Sequence, residues 1–75
     1  LAKLLAPEVR VNAVAPGTVL PPEGMPARQV KEIIRRLPLK KLGRPEDVVR
    51  AVAYLIESDF VTGQVLAVDG GRSIV

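Results

Sequence analysis

The segment Arg10-Val11-Asn12-Ala13-Val14-Ala15-Pro16-Gly17 decides how the rest of this sequence is read. From Val9 to Ala15, residues Val9, Val11, Ala13 and Ala15 share one face of an extended chain, and Val14 joins the other. Apolar side chains on both faces suit a strand buried in a parallel sheet. Asn12 breaks the pattern and needs hydrogen bonds if it is buried. Pro16-Gly17 ends the strand sharply.

Upstream, Leu1, Leu4 and Leu5 fall at i, i+3 and i+4, so Leu1 to Pro7 reads as the tail of a helix. No capping residue precedes it, and the expectation is a natural chain that extends further upstream. Downstream, Thr18 to Pro26 reads as a loop, because Pro21, Pro22, Gly24 and Pro26 exclude regular structure. Glu23 is its one ionised side chain, whereas Val19, Leu20 and Met25 are apolar. A long apolar loop after a strand's C-terminal end is where open α/β sheets bind ligands.

The spacing of Val30, Ile33, Ile34 and Leu37 predicts a helix over Ala27 to Leu37, stopped by Pro38. A second helix is predicted within Gly43 to Glu57. Pro45 suits its first position, and Glu46 and Asp47 put negative charge at the positive end of its dipole. Val48, Val52, Leu55 and Ile56 form its predicted inward stripe. Val49 and Tyr54 lie off that stripe. Gln64 to Val68 reads as a second strand, apolar on both faces, closed by Asp69-Gly70-Gly71. Two buried strands separated by helices predict an α/β fold with a parallel sheet. Two strands alone leave edges and wet apolar faces, so the expectation is that further polypeptide covers them.

Composition excludes several functions. The 75 residues include no cysteine and no histidine. That removes disulfides, thiol and histidine catalysis, and the usual zinc sites, so no metal is expected. No apolar run reaches the roughly 18 residues of a bilayer span, and no secretory signal opens the chain; a cytoplasmic protein without membrane contact is expected. The net charge of +3 comes largely from Arg28, Lys31, Arg35, Arg36, Lys40, Lys41 and Arg44. This reads as a solvated helix face. A nucleic-acid binder is the alternative, but no aromatic side chain lies there for base stacking.

Four stretches, in this order and spacing, resemble the short-chain dehydrogenase/reductase family. They are Arg10 to Gly17, Gly43-Arg44-Pro45-Glu46-Asp47-Val48, Thr62-Gly63-Gln64 and Val68-Asp69-Gly70-Gly71. The resemblance covers nearly the whole chain. Within the family, Val19-Leu20-Pro21-Pro22-Glu23 and the ending from Asp59 to Ser73 are similar to pteridine reductases and dihydromonapterin reductases. The 3-oxoacyl-carrier-protein reductases share the general pattern. In one place the chain departs from many members. Pro21 stands where they carry a Thr, a trait that pteridine reductases tend to share.

The resemblance implies a Rossmann-like doubly wound parallel sheet, of which residues 1–75 supply the C-terminal segment of a single domain. It implies an NADP-dependent oxidoreductase, with a pteridine of dihydropterin or dihydrofolate type as substrate. Pro16, Gly17, Thr18 and Val19 are the implied cofactor-binding residues, with Val19 acting through its backbone. Leu20, Pro21, Pro22 and Met25 are the implied substrate lid. No catalytic residue is expected within these residues. The family's Gly-rich turn is not among them, nor is its Tyr with a Lys four residues later. Tyr54 is the sole tyrosine, with Ser58 four residues on, and is expected to pack with its hydroxyl near the surface. The implied partners are the remaining N-terminal part of the same enzyme and further copies in a homotetramer. A non-catalytic oligomerisation fragment is the other alternative.

Overall fold

A computed structural model describes residues 1–75. In chain order it contains α1 (Ala2–Leu5), β1 (Ala13–Pro16), α2 (Ala27–Arg36), α3 (Pro45–Glu57) and β2 (Val65–Val68), then a 3-10 turn over Arg72–Ile74. β1 and β2 pair directly and in parallel, with Ala13 opposite Val65 and Pro16 opposite Val68. α3 is the crossover between them in space and lies against both strands. The α/β class and the parallel sheet are as expected.

β1 begins at Ala13, four residues later than the predicted start at Val9. The reason lies in Val11 and Asn12, which are tied to the turn before β2 by one backbone bond, from the Gly63 N–H to the Val11 carbonyl at 2.8 Å, and otherwise by side chains. The Val11 N–H donates to Thr62 Oγ1 at 3.1 Å, and the Gln64 N–H to Asn12 Oδ1 at 3.0 Å. Asn12 Nδ2 in turn donates to the Val61 carbonyl at 3.0 Å. This partly buried Asn therefore finds a donor and an acceptor. Regular pairing starts only when the Ala13 N–H reaches the Gln64 carbonyl at 2.9 Å.

β1 also runs one residue past its predicted end, through Pro16. The N–H groups of Ala13 and Gly17 point to β2, Gly17 donating to the Val68 carbonyl at 2.9 Å. The alternation of a strand turns the nitrogen of Pro16 toward the opposite, free edge. Its missing N–H removes nothing from the ladder, as a proline on an edge requires.

α3 starts where Pro45 predicts. The Arg44 N–H donates to Asp47 Oδ2 at 2.7 Å, closing half of a capping box. Its far end is held by Arg10. That guanidinium donates to the carbonyls of Leu55 at 2.8 Å, Ile56 at 2.9 Å and Val61 at 3.1 Å. Helix-terminal carbonyls have no intrahelical partner, and a cation there also answers the dipole. Arg10-Val11-Asn12 is thus a clamp around the end of α3 and the start of β2.

The inward stripe of α3 differs from the prediction. Ala51 and Leu55 are buried, Val48 is half-buried, and Val52 and Ile56 are exposed. With Leu37 these two residues are the whole buried core. The sheet face carrying Val14, Leu66 and Val68 is half-buried, and the face carrying Ala13, Ala15, Val65 and Ala67 is open. Tyr54 is exposed, contrary to its predicted packing, and Phe60 is fully exposed.

α2 lies outside this packed body. Leu37 anchors its C-terminal end, and the Leu39 N–H donates to the Gly70 carbonyl at 3.0 Å. Its basic face is solvated as predicted. Arg35 and Arg36 both pair with Glu32, which holds that carboxyl below its usual range. No helix is long and apolar enough to cross a membrane.

Candidate functional site

The C-terminal ends of β1 and β2 lie side by side, and there the backbone comes very close. A Cβ added at Gly17 would lie 2.7 Å from the Cα of Asp69 and 2.9 Å from its Cβ. No side chain fits that space without moving the strand ends apart. The sequence marks Pro16-Gly17 as a sharp end to the strand, and the structure shows what demands the glycine, the neighbouring backbone of Asp69.

Asp69 is fixed in its turn. Its two carboxylate oxygens accept the N–H groups of Gly71 and Ser73, each at 3.0 Å. The Gly71 bond, with those of Ser73 behind it, holds the Asp69 carboxyl below its usual range. The residues after Gly17 are held from a second side, where the Gly43 N–H donates to the Thr18 carbonyl at 3.1 Å. Behind Gly43, the Arg44 N–H holds the Asp47 carboxyl low as well, helped by the charges of Arg44, Arg50 and Lys41.

Thr18 and Val19 form a wall between two cavities. One, about 650 Å³, has Lys41, Arg44, Arg50, Asp47 and Asp69 among its lining. The other, about 840 Å³, is mostly apolar and runs from Pro16, Gly17, Thr18, Val19, Leu20 and Pro22 along the outer face of α3 to Ile56. Six of the eight predicted site residues therefore line one cavity. Pro21 and Met25 do not. The Met25 N–H donates to the Pro22 carbonyl at 3.1 Å, and Gly24 takes the left-handed conformation (φ 86°) that this tight turn needs. The turn reverses the chain toward α2 before Met25 is reached.

The α3 wall of this cavity includes Val48, Val49, Val52 and Ile56. Sequence reading did not assign them to a site. The available signal was a helix with more apolar residues than one buried face requires. The cavity shares Val52 and Ile56 with a smaller one beside Arg10, Asn12 and Val14, so the apolar groove continues beside β1.

Within this setting the N–H and C=O of Val19 have no hydrogen-bonding partner in the chain. Backbone groups at a half-buried position seldom go unpaired. Val19 lines the apolar cavity just beyond the C-terminal end of a parallel strand. That arrangement fits a flat, polar-edged ring such as a carboxamide-bearing nicotinamide.

A family model described as enoyl-(acyl carrier protein) reductase matches residues 1–73. The chain belongs to the short-chain dehydrogenase/reductase family. Among the relatives of this short-chain dehydrogenase/reductase segment is the dihydromonapterin reductase of Citrobacter koseri. It is 41% identical over 97% of this chain and 30% of its own length. The 3-oxoacyl-[acyl-carrier-protein] reductase of Thermotoga maritima is also 41% identical, over 96% of this chain and 31% of its own. The crystal structure of an alternative dihydrofolate reductase from Brucella suis, in complex with NADP, superposes with a TM-score of 0.88. It is 38% identical and covers 99% of this chain and 30% of that one. The chain thus spans about a third of the length of the relatives it matches.

Proposed function

We propose that this chain is the nicotinamide-side segment of an NADP-dependent short-chain reductase whose substrate is a pteridine of dihydropterin or dihydrofolate type. The observation that carries the reading is the unpaired N–H and C=O of Val19, a residue that lines the apolar cavity. The Brucella suis structure with NADP supports the choice of cofactor. When bound, reduced NADP supplies a hydride.

The residues of this chain bind and orient. Pro16 and Gly17 bring the backbone to the ring without a side chain in the way. Val19 offers one donor and one acceptor to the carboxamide, which fixes the face the ring presents. Such orientation accounts for a large part of enzymatic rate enhancement. Leu20 and Pro22 close the cavity against water, and Pro21 and Met25 serve the same lid from its outer side. Excluding water protects a hydride donor from side reactions. The proton donor and the pyrophosphate turn belong to the remaining, N-terminal part of the enzyme.

That remaining part also covers the groove beside β1. Ile56 at 69% exposure and Val52 line it, and burying such a side chain contributes about 1.5–3 kcal/mol. On the far side of the sheet pair, Val65 is 69% exposed and open to a second copy, in keeping with a homotetramer. A cytoplasmic place of action belongs to the same reading.

The equal identity of the Thermotoga maritima relative favours one other reading, a 3-oxoacyl-carrier-protein reductase. Steady-state assays of the whole protein with NADPH separate the two. Faster NADPH oxidation with dihydromonapterin or dihydrofolate than with an acetoacetyl thioester is expected. The reverse order overturns the pteridine assignment, and no NADPH oxidation with either overturns the reductase.

A further inference from the structure

Between Gly17 and Leu20 the chain has one hydrogen bond to anything outside the strand pair, the bond from the Gly43 N–H to the Thr18 carbonyl. That bond fixes the plane of the peptide joining Thr18 to Val19, and with it the direction of the Val19 N–H. The donor sits on a glycine, the residue with the least backbone restraint of its own. Something must therefore hold Gly43 still. The next residue is pinned at both polar backbone atoms by a single side-chain-bearing partner. The Arg44 N–H donates to Asp47 Oδ2 at 2.7 Å, and the Asp47 N–H donates to the Arg44 carbonyl at 2.9 Å. Packing brings the same residues together, because a Cβ built on Gly43 would lie 3.4 Å from Val19 Cγ2, 3.7 Å from the Thr18 carbonyl oxygen and 3.8 Å from Asp47 Oδ2.

We infer that Asp47 is a positioning residue for the nicotinamide, acting through Arg44, Gly43 and Thr18 on the backbone of Val19. The inference rests on the proposed nicotinamide reading of Val19. It goes beyond the ordinary role of an acidic residue in the first turn of a helix, which would affect the stability of α3 and nothing at the strand ends. Asp47 touches neither cofactor nor substrate. It makes the N–H of Val19 a preorganised donor instead of a mobile one, and preorganisation lowers the cost of binding.

The test uses the whole enzyme and two ligands, NADPH and 2′,5′-ADP, the second carrying the phosphate end of the cofactor without its nicotinamide. Asp47→Ala should weaken NADPH binding about fivefold to tenfold, the size of one lost hydrogen bond, and leave 2′,5′-ADP binding unchanged. Asp47→Glu, which can still reach back to the Arg44 N–H as capping-box residues do, should restore NADPH affinity to within about twofold. Gly43→Pro removes the donor itself and should reproduce the selective loss, so either end of the relay serves if one variant does not fold. Equal weakening of both ligands, or NADPH binding unchanged by Asp47→Ala and by Gly43→Pro, overturns the inference while the reductase reading stands. A wild-type enzyme that binds 2′,5′-ADP but not NADPH overturns the nicotinamide reading itself and the inference with it.

Discussion

Residues 17–19 and residues 20–25 are neighbours in the chain, and the second stretch shares the first one's cavity through Leu20 and Pro22, yet they are built in opposite ways. Gly17 and Thr18 are held by bonds to Val68 and Gly43, and the space beside Gly17 is closed by Asp69. Leu20 is 76% exposed, and the single backbone bond of the following stretch is its own turn from Met25 to Pro22. The first region has its geometry dictated by the chain. The second has almost none of it dictated, so ligand contacts can decide it. A site that orients a ring on one side and closes over a substrate on the other needs both kinds of backbone.

The sharpest way to break this contrast is to exchange the two regions' tolerance for side-chain change. Gly17→Val should destabilise the whole protein by about 3 kcal/mol, the upper end of overpacking costs, because the new atoms meet the Asp69 backbone. Leu20→Ala should change stability by less than about 0.5 kcal/mol, as exposed positions do. Thermal denaturation reads both. If the two variants melt alike, the close approach of the strand ends is not what the structure describes.

A smaller effect concerns motion. In the whole enzyme, hydrogen exchange at Leu20, Glu23 and Gly24 should be fast without ligand and slow with NADPH and substrate. The Gly17 amide should be protected in both states, because its partner is Val68. Equal protection of the lid with and without ligands removes the lid from the account.

The smallest effect is the acid response of the Asp69 turn. Its folded carboxyl titrates below the ordinary aspartate range. Its contribution is therefore fully present above that range and is lost as pH falls through the lowered value. Asp69→Asn should flatten the stability curve only on that acid side. Identical acid limbs for wild type and variant would show that the bonds to Gly71 and Ser73 contribute nothing.

Much of this was legible in the sequence, and the misses have physical causes. Pro45 with Asp47 marks the start of α3 correctly, because capping is a local rule. Pro16-Gly17 marks the strand end to within a residue. The start of β1 is not legible because Val11 and Asn12 have strand-like composition, yet the Val11 N–H and the Gln64 N–H bond to the side chains of Thr62 and Asn12, which no periodicity reveals. Within these residues α3 packs on Ala51 and Leu55 and leaves Val52 and Ile56 exposed, a division that the size of the apolar side chains does not reveal. Arg10 read as one more basic residue of a motif, and only the structure brings it to the end of α3. Pro21 and Met25 do not line the cavity that holds Leu20 and Pro22, and the turn at Gly24 carries the chain away before Met25.

The central claim is that Val19 meets the nicotinamide through its backbone, and one substitution series tests it most directly. NADPH affinity of the whole enzyme should be nearly unchanged by Val19→Ile, which alters only the side chain. It should fall at least about tenfold with Val19→Pro, which deletes the N–H. In both variants 2′,5′-ADP should bind as in the wild type. Weak NADPH binding by Val19→Ile together with normal binding by Val19→Pro would contradict the account.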